Sequence, residues 1–378
     1  MTKMQDKQNY VCSLNDPFHS FERLLNRFDG PEGGQFVLSF AGTKASEHEG
    51  ISAAGSSPEA RRLTPALDAE TLLLGKPVTA ASLPVSPSGI VSPVVITRAC
   101  LSLMNLSPLL VDCGSFHPAL TEAMKLSTQV ADCPSTGKAL PLPLVKELYQ
   151  SGIALGQSLS ESRSYLILAE CVPGGTTTAM ALLTALGYET KGLLSSSLPN
   201  SNHEQRFQLV EKGLSKTSYS KAEIKADALK AVAALGDPMQ AFSAGLAASA
   251  ARSMPVYLAG GSQMLAVWAL LRALDQSTQI ERNLTVLTTK WVAFDSSAGI
   301  SKLADILQAP LAAACPDFMS SRHAGLRAYE EGNVKEGVGA GASMCLANMA
   351  GFSPETIMAA IDRSYDEMVL KNSELRSL

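Results

Sequence analysis

Short apolar runs that stop at a glycine or a polar residue recur along the chain, and they predict buried β-strands. They occupy residues 35–41 (QFVLSFA), 164–169 (SYLILA), 255–259 (PVYLA) and 284–287 (LTVL). Their lengths, and their β-branched and aromatic residues, are typical of strands inside a sheet. Each run is followed by a turn, so the polar and small residues of interest lie just beyond the strand ends.

Helical patterns fill the intervals between these runs. A glycine at position 187 is a natural C-cap for the helix that contains AMALLTALG, and Ser353-Pro354 supplies an N-cap and a first helical residue. The remaining helices are predicted at 145–156, over most of 204–253 with breaks at 213–220 and 236–238, and from 262 to 274. Strands that alternate with helices indicate a parallel sheet.

The predicted fold class is therefore α/β, with a doubly wound, mostly parallel sheet, helices on both faces and a smaller helical part from the chain ends. In such sheets the ligand binds outside the carboxyl ends of the strands. A (β/α)₈ barrel is a weaker alternative because it needs eight regular units. We expect a lead-in at 1–34 that packs with a C-terminal helix at 353–378, and an α/β catalytic domain at 35–352.

The stretch from residue 44 to residue 93 departs from this alternation. It is rich in Gly, Ser, Pro and Ala, and only one helix is predicted, near 66–74. Long loops inside compact domains are usually functional or lie over a partner. The sequence therefore marks this stretch as a mostly irregular segment near a binding site.

Composition narrows the function classes. Charged residues make up 17% of the 378 residues and the net charge is −4, below the roughly 25% charged share of typical soluble domains. We therefore expect a homodimer that covers part of its own surface. The chain has no run of Lys and Arg that would form a basic surface, so a nucleic-acid partner is not expected. A polar first segment and apolar stretches too short for a membrane span predict a cytoplasmic protein without a membrane partner.

Seven cysteines are scattered along the chain without CxxC spacing. The odd count and the spacing argue against a disulfide framework and a structural zinc site. No metal or other cofactor is expected. Cys171 alone lies within a candidate site, and no histidine stands beside it to activate a catalytic thiol.

The strand at 164–169 runs into ECVPGGTTT and then a helix, which is an arrangement suited to an anion. Gly174 and Gly175 allow the backbone to approach a phosphate, and the hydroxyls of Thr176, Thr177 and Thr178 can donate hydrogen bonds. The segment lacks the P-loop lysine and the GxGxxG spacing, so neither ATP nor a dinucleotide is indicated. The same turn also serves in many proteins simply to cap its own helix.

Two glutamates accompany glycine turns. Glu170 ends a buried strand, where a carboxylate costs stability unless it is used or paired, and Glu336 stands in KEGVGAG, where small residues leave room for a ligand. A purely structural role is the alternative for both residues: Glu170 can accept hydrogen bonds from loop amides, and Glu336 can be a carboxylate favoured by a helix dipole.

Four motifs in order carry a resemblance to a known family: SYLILAECVPGGTTTAMALLTALGY, PVYLAGGSQMLAVWAL, TVLTTKWVAFD and VKEGVGAGASMCLA. From about Phe36 to Phe352 the chain resembles the nicotinate-nucleotide:dimethylbenzimidazole phosphoribosyltransferase family, particularly its archaeal and cyanobacterial branch. The segment GISAAGSSPEARRLTPALDAE fits the same family.

The resemblance implies an enzyme that joins a benzimidazole-type base to the ribose of nicotinate mononucleotide and releases nicotinate. The product is an α-ribazole phosphate for the lower ligand of cobalamin. The partners implied are nicotinate mononucleotide and an aromatic base, with adenine or a related purine as an alternative to dimethylbenzimidazole. A non-catalytic phosphate- or nucleotide-binding protein on the same fold is the alternative function.

The resemblance also assigns residues. Glu336 matches the family's general base, and Glu170 matches the glutamate that opens its phosphate loop. Ser52 is implied in the base pocket. The remaining nucleotide-site candidates are Gly260, Gly261 and Lys290 at strand ends. The chain departs from the bacterial branch in the segment AECVP at 169–173 and at Lys335, which stands where that branch has a glycine, so the base pocket differs.

Overall fold

The order of strands in the sheet places the segment before the first predicted strand at one edge. The computed structural model describes residues 10–80, 84–86, 89–198 and 202–371. The described strands form one sheet in the order β1-β8-β7-β6-β5-β2-β3-β4, and only the β1–β8 pair is antiparallel. The strands are β1 (Val11–Asn15), β2 (Gly34–Ala41), β3 (Pro108–Gly114), β4 (Met124–Lys125), β5 (Tyr165–Cys171), β6 (Val256–Ala259), β7 (Leu284–Thr289) and β8 (Leu311–Ala314).

The two central strands are buried along their whole length, as expected of a sheet that is covered on both faces. Every residue of β2 and β5 is buried, and the two strands pair in parallel with Phe36 opposite Ile167. The direction in which successive strands are added to the sheet reverses at this pair, because β3 and β4 lie on one side of β2 and the strands from β5 onward lie on the other. Such a switch point is where open α/β sheets bind ligands.

Helices cover the sheet in two layers, each with its own hydrophobic cluster. One cluster contains residues of the helices at 142–162, 175–185, 238–250 and 262–274. The other contains residues of the helices at 20–27, 58–74, 93–103, 340–349 and 354–365. The helices are α1 (Ser20–Arg27), α2 (Pro58–Leu74), α3 (Pro93–Leu103), α4 (Leu142–Ser162), α5 (Gly175–Ala185), α6 (His203–Leu214), α7 (Lys221–Ala226), α8 (Leu229–Leu235), α9 (Pro238–Ala250), α10 (Ser262–Leu274), α11 (Thr278–Arg282), α12 (Lys290–Ala293), α13 (Ile300–Leu307), α14 (Ala324–Arg327), α15 (Ala340–Met349) and α16 (Pro354–Tyr365). The predicted doubly wound α/β fold is confirmed, and the open sheet excludes the barrel.

The stretch after residue 44 is more helical than its composition indicates. Helix α2 has 17 residues, begins at Pro58 with Ser57 as its N-cap, and contains Pro65 in its interior. Proline near a helix start is compatible with helix, but the abundance of Gly and Ser around it hid the first half of α2. The prediction of an irregular chain was therefore wrong for residues 58–65, whereas the helix predicted near 66–74 is the second half of α2. Helix α3 begins where this stretch ends.

Two strands carry no sequence signal of the predicted kind. β8 reads LAAA and lacks the β-branched residues that mark a buried strand, and β1 lies in the polar lead-in. Both become strands through pairing with a neighbour, Val11 opposite Ala314. Residues from both chain ends, including Phe21 and Ile361, join the same hydrophobic cluster. The domain boundaries at 34 and 352 remain predictions.

No helix in the described ranges combines the length and the apolarity needed to cross a bilayer.

Candidate active site

A cavity of about 580 Å³ opens at the carboxyl ends of β5 and β6. Its wall includes the turn after each of these strands, the segment at 334–338, helix α2 and residues 51–56, 84–86 and 90–93. Several predicted site residues meet in this wall: Ser52, Glu170, Gly174, Gly175, Thr176, Gly261 and Glu336. Residues that are far apart in sequence thus form one concave site.

The glycines at the start of α5 are required by close packing. Gly174 has φ +82°, and a Cβ there would lie 2.9 Å from the backbone nitrogen of Ser46. A Cβ on Gly175 would lie 1.9 Å from Oε1 of Gln263. No side chain caps α5. The positive end of its dipole therefore faces the cavity without an internal carboxylate.

The three threonines of the first turn have different surroundings. Thr176 lines the cavity. The hydroxyl of Thr177 is buried and makes no hydrogen bond within the described residues. Thr178 donates to the carboxylate of Asp237 and to the carbonyl of Gly175, so its hydroxyl is occupied within the protein.

Glu170, at the end of β5, is almost fully buried. Its Oε2 accepts a hydrogen bond from the N–H of Val172 at 3.2 Å, and the amide of Gln263 also hydrogen-bonds to it. Burial, together with the negative charges of Glu336 and Asp237, raises the pKa of Glu170 to about 8. This carboxyl group therefore holds its proton at neutral pH.

Glu336 lies against the N-terminus of α15. Its Oε1 accepts from the N–H groups of Gly337 and Gly341 at 3.1 and 3.2 Å, and its Oε2 accepts from the hydroxyl of Thr288 at 3.3 Å. These bonds favour the ionised form, but burial outweighs them and raises the pKa of Glu336 to about 7. A carboxylate with this pKa can accept a proton near neutral pH.

Gly341 makes the approach of α15 to the sheet feasible. A Cβ at this position would lie 2.1 Å from the carbonyl carbon of Thr288 and 2.6 Å from Oε2 of Glu336. Any side chain there would separate α15 from β7 and displace the carboxylate.

The segment that carries Glu336 is held in unusual backbone conformations. Val334, Lys335 and Val338 all have positive φ angles, of 64°, 69° and 53°. Branched residues rarely adopt this region, and such strain persists only where the surroundings enforce it. Here the N–H of Val338 donates to the carbonyl of Glu170, which ties the two glutamate segments together at 3.1 Å.

Lys335 anchors the same segment through a buried ion pair. Its ammonium lies 2.6 Å from Oδ2 of Asp295 and 3.2 Å from the carbonyl of Leu198. Both partners of the ion pair are buried, with 3% and 6% of their side chains exposed. Although burial acts to raise it, the hydrogen bonds from Lys335, Ser195 and Ser297 hold the pKa of Asp295 below its usual range.

The other sequence candidates lie in different positions. Gly260 borders Glu170, because a Cβ on it would lie 3.7 Å from Oε1 of that glutamate. Lys290 follows β7 and pairs with Glu330 at 2.9 Å, and it is absent from the described wall of the cavity. Ser52 is in the wall, and its hydroxyl accepts from the N–H of Ala54.

Sequence reasoning missed two buried arginines. Arg206 is completely buried and donates to the carbonyl of Ile51, while its Nε and Nη1 make no hydrogen bond within the described residues. Arg61 donates to the carbonyls of Ser46 and Gly55, and its Nη2 is likewise unpaired in the described part of the chain. Both guanidinium groups hold the 46–55 loop beside the cavity.

Nothing in the local sequence marks these arginines, because each stands among polar residues of a helix start. A third missed residue is Asp68, which lines the cavity from α2. It follows Leu67 in a helix that composition concealed. No group of three or more His, Cys, Asp or Glu side chains within the described ranges is arranged to hold a metal ion.

Comparison with known proteins gives relatives along most of the chain. The chain is 45% identical over 332 residues to the UPF0284 protein of Gloeobacter violaceus, and the alignment covers 87% of this chain and 86% of the relative. It is 43% identical over 323 residues to the UPF0284 protein of Synechocystis sp., covering 83% and 85%. No family model matches the chain.

Solved structures with the same fold come from Thermus thermophilus. One is a nicotinate-nucleotide-dimethylbenzimidazole phosphoribosyltransferase, with a TM-score of 0.60, 16% identity, and coverage of 95% of this chain and 97% of that one. The other is CobT, with a TM-score of 0.59, 15% identity, and coverage of 94% and 95%. The resemblance seen in the sequence is thus confirmed in the fold and in the cyanobacterial relatives.

The sequence identities and the length of these alignments show that the chain belongs to the UPF0284 family, and the structural comparison shows that it has the fold of the nicotinate-nucleotide-dimethylbenzimidazole phosphoribosyltransferases.

Proposed function

We propose that this protein transfers the 5-phosphoribosyl group of nicotinate mononucleotide to a nitrogen of an aromatic base, releasing nicotinate and forming an α-ribazole-type phosphate. The observation that carries the proposal is the pair of buried glutamates, Glu170 and Glu336, at one cavity whose other wall is an uncapped helix start. A proton acceptor and an anion site then line one cavity.

The phosphate has a binding site at the start of α5. The helix dipole and the close backbone at Gly174 and Gly175 favour an anion, and Thr176 of the same turn lines the cavity. Buried Arg61 donates to the carbonyl of Ser46, the residue against which Gly174 packs. A dianion near this turn would offset part of the cost of burying a guanidinium group that has no carboxylate partner among the described residues.

The transfer step needs one proton acceptor. One ring nitrogen of the base attacks C1′ of the ribose, the bond from C1′ to the nicotinate nitrogen breaks, and its electron pair returns to the nicotinate ring. The proton on the other nitrogen of the base then passes to the carboxylate of Glu336. A pKa of about 7 suits this residue to general base catalysis at neutral pH.

Glu170 has a complementary role. With a pKa of about 8 it stays protonated while Glu336 ionises, so the pair carries a single negative charge. That charge faces a C1′ that becomes cationic as the nicotinate leaves, and electrostatic stabilisation of this kind is a major contribution to catalysis. Nicotinate departs neutral at its ring nitrogen and therefore needs no acid.

The test is turnover by the purified protein. Nicotinate mononucleotide is incubated with a panel of aromatic bases, and both nicotinate release and the ribazole phosphate are measured. We expect product with at least one base, and a loss of roughly 10²–10⁴-fold in kcat for Glu336→Gln. Absence of product with every base would overturn the proposal. Full activity in Glu336→Gln would overturn only the assigned base.

We also propose that the protein is a homodimer. Exposed Leu74, Val78 and Leu120 lie on one side of the molecule, because Glu70 accepts hydrogen bonds from the N–H groups of Val78 and Leu120. Adjacent exposed apolar residues often mark a subunit contact. Light scattering should give twice the chain mass, and Leu120→Glu should shift it toward the monomer. A monomer in the unmodified protein would refute this.

A further inference from the structure

Asp68 is a buried carboxylate in the cavity wall that the proposed reaction does not use. It lies in α2, is 8% exposed and lines the cavity. Its Oδ1 accepts from the hydroxyl of Ser92 at 3.0 Å, and its Oδ2 accepts from the thiol of Cys171 at 3.5 Å. No Lys, Arg or His of the described residues neutralises it. A buried charge of this kind is costly unless a ligand uses it.

The wall around Asp68 is mostly apolar, with a few hydroxyl groups. The part of the cavity formed by α2 and residues 84–86 and 90–93 contains Leu63, Leu67, Val85 and Ile90, and Asp68 is its sole charged side chain among the described residues. The phosphate site and the two glutamates belong to the other part of the wall. An aromatic ring is the substrate portion that fits an apolar surface.

Asp68 and the glutamates border the same buried region from different sides. Cys171, which donates to Asp68, directly follows Glu170 in β5. Gly337, which follows Glu336, packs against Pro93, because a Cβ on it would lie 3.3 Å from Cγ of Pro93, and Pro93 follows Ser92, the donor to Asp68. Both carboxylates line the same cavity, so a planar ring bound there can contact Glu336 and Asp68 together.

The hydrogen bonds decide what Asp68 can recognise. Both protein contacts donate to the carboxylate, so each oxygen retains acceptor capacity and the group itself offers no proton. Burial raises its pKa to about 6, with the bonds from Ser92 and Cys171 acting in the opposite direction, so it is largely ionised at neutral pH. A ligand that satisfies it must bring an N–H or O–H donor.

We infer, on the basis of the proposed function, that Asp68 selects the acceptor base by accepting a hydrogen bond from an exocyclic amino group. That group is carried by the six-membered ring of the base, whereas the nitrogen pair that serves attack and proton loss belongs to the five-membered ring.

The inference separates the two acceptors left open by the sequence. Adenine carries such an amino group. Dimethylbenzimidazole carries one N–H, which the reaction itself removes, and its carbocyclic ring with two methyl groups would desolvate the carboxylate without offering it a further donor. Sites built to hydrogen-bond a substrate reject analogues that lack the donor, because their buried polar groups are then unsatisfied.

Asp68 also has a structural contact that must be separated from recognition. Ser92, its partner, is the N-cap of α3, so the Ser92–Asp68 bond ties α2 to α3. Ser57→Ala weakens α2 by removing its N-cap, keeps the carboxylate with both of its donors, and changes a residue outside the described cavity wall, which makes it the matched control for Asp68→Asn. Asp68→Leu is the second variant, since it removes the polar group altogether.

The experiment measures kcat/KM for adenine and for dimethylbenzimidazole, the KM for nicotinate mononucleotide, and the melting temperature of each variant. The unmodified protein should prefer adenine. Asp68→Asn should lower kcat/KM for adenine by at least about tenfold, with little change for dimethylbenzimidazole or the KM for nicotinate mononucleotide. Asp68→Leu should reverse the preference. Ser57→Ala should lower the melting temperature and leave the preference unchanged.

Two results would overturn the inference while the proposed function stands: product with dimethylbenzimidazole but none with adenine, or an equal loss for both bases in Asp68→Asn. If Asp68→Leu does not fold, Asp68→Asn alone decides by the same criterion. Absence of product with every base would defeat the proposed function and this inference with it.

Discussion

The ammonium of Lys335 lies 2.6 Å from the carboxylate of Asp295 in a buried ion pair, and Lys335 directly precedes Glu336 in the chain. The pair fixes the strained turn from which the proposed general base projects. An ordinary loop lysine would leave that turn free to relax. The position of Glu336 therefore depends on a charge pair that takes no direct part in the reaction.

Breaking this pair should damage both stability and catalysis. Lys335→Met leaves Asp295 buried without its cation, and such losses typically cost about 3–5 kcal/mol. We expect a lower free energy of unfolding and a kcat that falls more than the KM for nicotinate mononucleotide rises. The double variant Lys335→Met/Asp295→Asn should recover much of the stability but little of the kcat. Unchanged kcat in Lys335→Met would show that the pair does not position Glu336.

The pH dependence of the reaction should report the two glutamates. Glu336 must be ionised to accept a proton, so kcat/KM should rise with pH up to about 7. Glu170 should be protonated for the pair to carry one charge, so the rate should decline above about 8. Glu170→Gln should remove the decline at high pH and keep the rise. A profile that is flat from pH 5 to pH 9 would contradict both assignments.

Stability should also depend on Glu170. Its pKa in the folded protein, about 8, lies above the ordinary 4.5 of a glutamate. The folded state therefore binds this proton more tightly than the unfolded chain. The resulting stabilisation is fully present below pH 4.5 and is lost as pH rises through 8.

Glu170→Gln should therefore be more stable than the unmodified protein at pH 9, by on the order of 3 kcal/mol, and the difference should shrink toward pH 5. Denaturant unfolding at both pH values measures this. Exposed Glu211 provides the matched control, Glu211→Gln, which should show no such trend. A variant that is less stable at pH 9 would mean that Glu170 is paired in a way that offsets its burial.

The glycine at the start of α5 can be tested through its neighbour. Gly175→Ala would place a methyl group against the amide of Gln263. We expect a KM for nicotinate mononucleotide at least about tenfold higher, since displacement of the turn weakens its anion site. Adding Gln263→Ala removes the colliding amide and should restore part of the affinity. Normal KM in Gly175→Ala would show that the phosphate binds elsewhere.

Local pattern in the sequence determined the central strands, the turns at their ends and the fold class. A buried strand and a glycine turn leave periodicity and composition that can be detected within a dozen residues. For the same reason Glu170, Glu336 and the turn at 174–178 stood out. Strand β8, reading LAAA, did not, because pairing with β1 and β7 rather than its own residues makes it a strand.

Only the tertiary structure decided which polar side chains are buried and against what. Asp68 and Arg206 look like ordinary helix residues until segments more than 20 residues away close over them. The same holds for Lys335, whose partner Asp295 is 40 residues distant in the chain. Burial and charge pairing are non-local properties, and they set the pKa values of the two glutamates. The sequence therefore identifies the two glutamates as candidates, and their surroundings in the folded protein make them suited to acid–base chemistry.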